Sequence, residues 1–423
     1  MRMTIAHPRV PMVGRNPHEP HRAATPLELL YDLTFVVAFG AAGNETAHFF
    51  AEGHWRTGII GFGFAMFAVI WAWIQSTWFA SAYDTDDWIY RLLTMLQMIG
   101  VLVLALGLPP MFESLQRGEH VDNGVMILGY VIMRVGLIAL WTRVAHHDTE
   151  RRRCAVIYAT TLFVAQLGWI ALLVADVSVA VMFSVAAVLV LIELTGPVVA
   201  ERRYGVTTPW HPHHIAERYG LLTIIALGEV ILGTVAALDA VVRVDGWTAQ
   251  TALVGLSGVG LAFGMWWMYF IIPSGDLLHR FRERSFGWGY GHLPLFAGIA
   301  ATGAGLHVAA LHMEHAAHIG PVALVLTTAV PLGIYVLCLY SLYTAITREL
   351  DRFHLVLVAV TAVIIAASIV MAAAGAPLAT CLVVLTLAPA VTVVGYELVG
   401  HRHRSEMLAR AGVASADGEA VST

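Results

Sequence analysis

The chain has 423 residues, of which 58% are hydrophobic and only 13% are charged, and its formal net charge is −5. Soluble domains contain about 45–50% apolar and about 25% charged residues, so this composition excludes an ordinary soluble domain. The three cysteines lack metal-ligand or disulfide spacing, and the sequence contains no phosphate-binding loop and no nucleic-acid-binding signature.

Apolar segments of about 20 residues, the length that crosses a bilayer, recur along almost the whole chain. Residues 1–24 precede them as a polar segment without the apolar region of a signal peptide, and we expect it to be cytoplasmic. We predict 12 transmembrane helices, at residues 27–50, 57–81, 89–110, 124–145, 154–175, 178–199, 212–238, 249–272, 290–311, 320–346, 354–374 and 377–399. Residues 405–423 lack apolar bulk, which predicts a disordered cytoplasmic tail. The predicted fold class is therefore an all-α integral membrane protein.

The basic residues predict the orientation of these helices. All 24 are arginines, and 19 of them fall in segments that are cytoplasmic if the N-terminus is cytoplasmic. The opposite loops contain only three, Arg56, Arg117 and Arg243, and two more, Arg134 and Arg218, lie within predicted helices. The positive-inside rule therefore predicts that both termini are cytoplasmic.

The two halves of the chain resemble each other weakly. Four pairs of segments match in the same order: Glu28 to Thr34 with Glu217 to Thr223 at a shift of 189, Gly58 to Gly63 with Gly255 to Gly260 at 197, Trp88 to Tyr90 with Trp288 to Tyr290 at 200, and Leu140 to Thr142 with Leu342 to Thr344 at 202. The smooth drift of the shift predicts two six-helix repeats of the same orientation, at residues 25–203 and 204–404.

Several ionisable side chains lie inside the predicted helices, where an ionised group costs about 2.5–3.5 kcal/mol at the bilayer centre. Such groups must face protein or water rather than acyl chains. We predict that a transport or proton site contains Glu28, Asp32, Glu217, Glu229, Arg134 and Glu193, with Asn44, His48, His214 and Arg218 as secondary polar groups.

Glu28 and Asp32 share one face of the first helix, because they are four residues apart. Three interpretations stay open at this point. The pair could form a proton or cation site, or it could bind an arginine of another helix, such as Arg91 or Arg134. Alternatively, Glu28 lies at the interface and stabilises the positive N-terminal end of its own helix.

Glu217 holds the corresponding place in the seventh helix, where a bond to a neighbouring histidine or arginine is the structural alternative. Glu229 follows 12 residues later, roughly 18 Å deeper at 1.5 Å per residue, and so well inside the hydrocarbon. Arg134 lies in the middle of the fourth helix and requires an acidic partner, for which the candidates are Asp32, Glu193 and Glu229.

Two motifs carry a resemblance to a known family. TPLELLYDLTFVVAFG at Thr25–Gly40 and HIAERYGLLTIIALGEVILG at His214–Gly233 resemble the bacterial low temperature requirement protein A family. The resemblance covers roughly residues 20–400 and implies a multi-pass protein of the bacterial plasma membrane. The family name refers to growth in the cold, and the resemblance implies no biochemical activity or cofactor.

Three functions fit these residues. The first is a protein, not an enzyme, that transports or conducts a small ion or solute, with proton coupling through the intramembrane carboxylates. The second is a structural or stress-adaptation membrane protein whose polar residues only hold the helices together. The third is a metal-dependent intramembrane enzyme, for which His312 and His315 are the candidate ligands because they share a helical face. We expect no cofactor, and the expected partners are the lipid bilayer and the ion or solute, not nucleic acid.

Overall fold

The computed structural model describes residues 10–20, 22–118, 120–175, 177–203, 205 and 207–400. The protein is 83% helical, and none of the described residues belongs to a β-strand. The prediction of an all-α protein is therefore confirmed. The predicted tail at residues 405–423 lies outside the described residues.

Within the described residues, the α-helices are long and joined by short connections. They are α1 (Pro26–Ala51), α2 (Trp55–Tyr83), α3 (Trp88–Leu106), α4 (Leu108–Arg117), α5 (Gly124–His147), α6 (Arg152–Val174), α7 (Val179–Arg202), α8 (Pro212–Asp245), α9 (Ala249–Phe270), α10 (Ser274–Arg280), α11 (Ser285–Met313), α12 (Pro321–Thr347), α13 (Arg352–Ala373) and α14 (Leu378–Gly395).

Twelve helical segments in the described part of the chain are long and apolar enough to cross a membrane, in agreement with the 12 predicted. The third segment is longer than predicted, at Trp88–Arg117 instead of 89–110, because α4 follows α3 directly after Gly107. Two prolines occupy the first turn of α4, where a missing N–H costs no helical hydrogen bond. The cytoplasmic position of both termini stays a prediction.

The chain divides into two compact units. Unit 1 comprises Met1–Glu45 and Arg56–Arg218, and unit 2 comprises Thr46–Trp55 and Tyr219–Thr423. The division falls inside α8, because the first turns of this helix bind acidic side chains of α1. The sequence repeats at 25–203 and 204–404 stay a prediction.

In unit 1, the polar segment at residues 10–20 is an ordered strap across the helix ends. The Asp87 carboxylate accepts a hydrogen bond from the backbone N–H of Val10 at 3.2 Å. The Asp148 carboxylate accepts one from the N–H of Gly14 at 3.1 Å. The two buried aspartates thereby satisfy backbone N–H groups of residues 10–20 that would otherwise lack a partner. The segment, whose composition resembles that of a solvated N-terminus, is therefore part of the folded structure.

In unit 2, α8 and α11 cross where both helices have a glycine. A Cβ atom on Gly303 would lie 2.5 Å from the carbonyl oxygen of Glu229, and a Cβ on Gly233 would contact the carbonyl of Gly303. Such close approach of two helix backbones is the use that membrane proteins make of small residues. The crossing therefore fixes the α8 backbone at Glu229 inside the protein.

We expect Gly303→Ala to destabilise the protein by about 1–3 kcal/mol, because the new methyl group meets backbone atoms that cannot move aside. The matched control is Gly287→Ala on the same helix, where an added Cβ meets no atom within 4 Å. Thermal unfolding of both variants in detergent measures the difference. Equal melting temperatures of Gly303→Ala and Gly287→Ala would contradict the close crossing.

Candidate functional site

The first polar site lies at the start of α1. The Thr25 N–H donates to the Glu28 Oε2 at 2.7 Å, and the Glu28 N–H donates to the Thr25 hydroxyl at 3.3 Å. This reciprocal pair is a capping box, which satisfies two N–H groups that the helix leaves free. The part of the third interpretation in which Glu28 stabilises the N-terminal end of its helix is confirmed, and its position at the membrane interface stays a prediction.

The same carboxylate belongs to a buried ion cluster. Arg218 of α8 places its Nη1 2.9 Å from the Glu28 Oε1, and it donates from Nε and Nη2 to Asp32 at 3.1 and 2.5 Å. The His214 Nε2 lies 3.2 Å from the Glu28 Oε2, and the Trp73 indole donates to Asp32 at 2.6 Å. All five side chains are buried. The prediction of an ion pair with an arginine of another helix is therefore confirmed.

The arginine that fills this role is not either of the two named from the sequence. Arg91 is partly exposed and binds Asp86 at 2.8 Å, so it remains at the surface. Arg218 replaces it because it lies one turn beyond His214 on the buried face of α8. A residue predicted as a secondary polar group is thus the central cation of the cluster.

Arg22 extends the cluster toward the helix ends. Its Nη2 lies 3.5 Å from the Glu28 Oε1 and 3.7 Å from the Asp84 Oδ2, and it donates to the carbonyl of Ala80. Positive and negative side chains thus alternate from Asp84 through Arg22, Glu28 and Arg218. Burial raises the pKa of Asp84 to about 6, and the neighbouring charge of Glu28 acts in the same direction.

A small cavity lies beside this cluster in unit 1. Its lining includes Glu28, Tyr31, Gln97 and Arg218. Within this lining, the Glu28 Oε1 and the Arg218 Nη1 face each other at 2.9 Å in the ion pair described above. Polar side chains around one space make this cavity a candidate site for water.

A second buried carboxylate is saturated with donors. The Glu193 Oε2 accepts from Arg134 at 2.9 Å, from the Tyr130 hydroxyl at 2.5 Å and from the Trp71 indole at 3.0 Å. Its Oε1 accepts from the Trp169 indole at 3.0 Å. The donors come from α2, α5 and α6 and the acceptor from α7. Of the three predicted partners of Arg134, Glu193 is the correct one, and this cluster holds four helices together.

Glu229 differs from these carboxylates. It lies in the middle of α8 with only 3% of its surface exposed. Its Oε1 has no hydrogen-bond partner, and no arginine or histidine of the described chain forms an ion pair with it. An unpaired ionised carboxylate in a low dielectric is costly, so the neutral, protonated form is the cheaper one here.

The other predicted residues lie outside the buried clusters. Glu217 is exposed, and its carboxylate accepts from the N–H of Ala24 at 3.2 Å. The alternative in which Glu217 bonds to His214 or an arginine is wrong for His214 and Arg218, because Glu28 and Asp32 of α1 bind these side chains. Asn44 and His48 are also exposed.

The candidate metal ligands His312 and His315 do not belong to a larger group of metal-binding side chains in the described residues. In the part of the chain that the structure describes, no group of three or more histidine, cysteine, aspartate or glutamate side chains is arranged to hold a metal ion. His315 is exposed and adopts a positive φ of 60° just after the end of α11, which separates it from the helical face of His312. The proposed shared helical face is therefore wrong.

Sequence reasoning missed the indole donors and one arginine. The sequence analysis gave no site role to Trp71, Trp73 or Arg22. The available signal was the position of these tryptophans in the interior of a span, because interfacial tryptophans cluster at the ends. An interior indole must find a hydrogen-bond acceptor, and the buried carboxylates are such acceptors.

Comparison with known proteins places the chain in a family. The family model of the bacterial low temperature requirement A protein (LtrA) matches residues 23–389. The chain belongs to this family. A protein of Rhizobium meliloti (strain 1021), which is described only as uncharacterized, is 27% identical over 296 residues, or 66% of this chain and 67% of the relative. No solved structure matches the chain. Membership of the LtrA family and 12 apolar helices in the described residues make this protein a multi-pass membrane protein.

We expect Glu193→Gln to destabilise this LtrA family member by about 3–5 kcal/mol, because it leaves the Arg134 charge buried without a counterion. The double variant Arg134→Met/Glu193→Leu should lose less, since it removes both charges. Thermal unfolding in detergent compares them with the control Glu113→Gln, whose side chain is 65% exposed. A double variant that is less stable than Glu193→Gln would contradict this account.

We expect the stability of the protein to fall between about pH 4 and pH 6 through Asp84. The pKa of Asp84 is raised to about 6 in the folded protein, so the stability linked to its proton is present below the unfolded value and lost as pH rises. Asp84→Asn should therefore melt at a higher temperature than the parent above pH 6, with a difference on the order of 2–3 kcal/mol that shrinks toward pH 4.

The control for this prediction is Asp87→Asn, which should have the opposite effect. Burial alone would raise the pKa of Asp87. The hydrogen bonds from Arg143, Tyr90 and Val10 outweigh this effect and lower the pKa to about 2. Its charged form is therefore stabilising at neutral pH, and Asp87→Asn should melt at a lower temperature there. Melting curves of both variants from pH 4 to about pH 8 test the two signs, and an Asp84→Asn difference that is independent of pH would refute the assignment.

Proposed function

We propose that this protein transports or conducts a small ion or solute across the bacterial plasma membrane, with proton coupling through its intramembrane carboxyl groups. One observation carries the proposal. Glu229 lies buried in the middle of a membrane-spanning helix, and its Oε1 has no partner in the described chain.

The contrast with the other buried acids supports this proposal. Glu28, Asp32 and Glu193 each have an arginine within 3.1 Å. A carboxylate that only supports the fold is expected to have such a partner, because an unpaired one destabilises the protein and an apolar residue would fill the space better. A carboxyl without a counterion can instead alternate between binding a proton and binding a cation.

The position of Glu229 in unit 2 also suits this role. The α8 backbone at Glu229 is fixed by its close contact with Gly303 of α11. The side chain therefore remains inside unit 2 and cannot move to the lipid by rotation of the helix. A proton-binding group at a rigid helix crossing has a defined position relative to the surrounding protein.

A second candidate function is a structural or stress-adaptation protein without transport. The saturation of Glu193 by four donors favours it, since that cluster joins four helices of unit 1 and has no unsatisfied oxygen. The two functions differ in the effect that they predict for a substitution of Glu229. In the structural alternative, replacement of Glu229 changes stability and nothing else.

We expect Glu229→Gln to lower proton flux into proteoliposomes by roughly tenfold or more, because glutamine cannot release and rebind a proton. Flux is driven by a pH gradient in the presence of Na⁺ or K⁺ and is followed with a pH-sensitive dye inside the vesicles. The control is Asp239→Asn on the same helix, whose side chain is 58% exposed and should not matter.

Two outcomes would contradict the proposal. One is the absence of proton flux in the parent protein under each of these gradients. The other is a Glu229→Gln variant that keeps the parent flux. A variant that keeps its thermal stability but loses flux supports transport over the structural alternative.

A further inference from the structure

We propose that the strap at residues 10–20 is a lid, which opens without unfolding of the helices and then admits water to the buried ion cluster of unit 1. The closed strap separates this cluster from the solution at the helix ends. The proposal is independent of the transport function, because it concerns only unit 1 and is tested without a flux measurement.

One side chain of the strap closes the small cavity beside the ion cluster. Met12 is fully buried. It belongs to a hydrophobic cluster whose members include Phe79, Tyr90, Leu137 and Leu140. These four side chains also line the cavity. Met12 therefore completes the layer of apolar side chains that surrounds the polar groups inside.

The cavity lies close to the helix ends that the strap covers. Its lining includes Ala80, in the last turn of α2, and Tyr90, in the first turn of α3. The strap binds the same two ends, because the Arg15 N–H donates to the carbonyl of Ala82 at 2.9 Å and the Asp87 carboxylate accepts another strap N–H. At about 1.5 Å per residue, the lining residues lie roughly 3–5 Å along the helices from these contacts.

The strap has little buried apolar surface to lose when it opens. Of the described residues 10–20, Met12 is the only one that is buried. The two valines, Val10 and Val13, are already 39% and 49% exposed. A segment with few buried apolar contacts opens locally at a lower free energy than the core of a protein. The strap can therefore open while the helices beneath it remain folded.

Hydrogen bonds at both ends hold the strap in the closed position. At its start, Arg143 donates to the carbonyl oxygen of Val10 at 2.6 Å. At its end, the His211 Nε2 lies 2.9 Å from the carbonyl oxygen of Glu19. Water at the helix ends can replace each of these partners when the strap opens, so the net free energy that such bonds contribute to closure is modest.

The closed pocket around Met12 leaves two polar groups without a partner. The Tyr83 hydroxyl and the Trp141 indole N–H belong to side chains of the same hydrophobic cluster, and neither has a hydrogen-bond partner among the described residues. Their side chains are 0% and 3% exposed. A buried donor without an acceptor raises the free energy of the closed state. Water that enters when the strap opens satisfies both donors and thereby favours opening.

Opening of the strap changes the surroundings of the ion cluster. Glu28 and Asp32 of α1 bind Arg218 of α8, and all three side chains are buried. Water that reaches these groups weakens their attraction, because it raises the local dielectric constant. The closed strap therefore keeps α1 and the start of α8 locked together in unit 1, and the open strap loosens this connection.

Cysteine labelling measures whether the cavity opens. Thr94 lines the cavity and is 7% exposed, and it is replaced by cysteine in a chain whose three native cysteines are changed to alanine. A small water-soluble methanethiosulfonate reacts with the new thiol only when water reaches it, and mass spectrometry of the intact protein in detergent follows the reaction. We expect slow labelling whose rate hardly changes at low urea concentrations, because local opening exposes little surface.

Met12→Ala should raise the labelling rate of Thr94→Cys by roughly tenfold or more, because it removes the buried side chain that holds the strap closed. The matched control in the strap is Val13→Ala, whose side chain is 49% exposed and whose labelling rate should equal that of the parent strap. The control for the labelled position is Thr302→Cys in unit 2. Thr302 is buried and bonds to the carbonyl four residues before it, as Thr94 does. It reports global unfolding and should not respond to Met12→Ala.

Three outcomes would overturn the proposal. If Thr94→Cys reacts as fast as an exposed cysteine with the parent strap, the strap does not close the cavity. If Met12→Ala accelerates Thr94→Cys and Thr302→Cys equally, or if the labelling rate rises steeply with urea, the cavity opens only when the protein unfolds. If Met12→Ala labels no faster than Val13→Ala, Met12 does not close the cavity. None of these outcomes involves transport, so each leaves the proposed function as it stands.

Discussion

The free energy required to hold an ionised group away from water determines the arrangement of polar side chains in this protein. In a bilayer, neither water nor lipid can satisfy a buried carboxylate, so the protein must supply the donors. Unit 1 does so twice. Arg218, His214 and Trp73 surround Glu28 and Asp32, and Arg134, Tyr130 and two indoles surround Glu193. These clusters connect helices that the chain places far apart in sequence.

The same constraint gives Glu229 its significance. The chain satisfies its other deep acids with arginine, yet it leaves one carboxyl without a counterion at a rigid helix crossing. Unit 1 thus contains paired charges, and the described part of unit 2 contains a buried carboxyl without a counterion. This difference between the units underlies the proposed transport function.

Much of the fold could be predicted from the sequence, because the length of an apolar segment is a local property. The 12 predicted spans agree with the structure apart from shifts at their ends, and the largest shifts occur at the end of Ala249–Arg280 and at the start of Arg282–Met313. The need of Arg134 for an acidic partner was equally predictable from the cost of burial. The choice of Glu193 was not, because it depends on which helices are neighbours.

The partners of Glu28 and Asp32 could likewise not be identified from the sequence, because they depend on which helices are neighbours. The need for a cation was predicted, but Arg218 lies 186 residues further along the chain, and only the packing of α8 against α1 within unit 1 brings it into contact. The strap at residues 10–20 was missed for a different reason. Its composition is that of a solvated tail, and its order comes from Asp87 and Asp148, which accept backbone hydrogen bonds from distant positions.

The central claim is that Glu229 is a buried carboxyl without a counterion in the described chain, and that it therefore favours its protonated form more than the carboxyl groups paired with arginine do. Infrared spectroscopy of the purified protein in lipid tests it directly, because a protonated carboxyl has a carbonyl stretching band that a carboxylate lacks. The account predicts such a band in the parent protein, its loss in Glu229→Gln and its persistence in Glu193→Gln. A parent spectrum without the band, or a band that survives in Glu229→Gln, would contradict it.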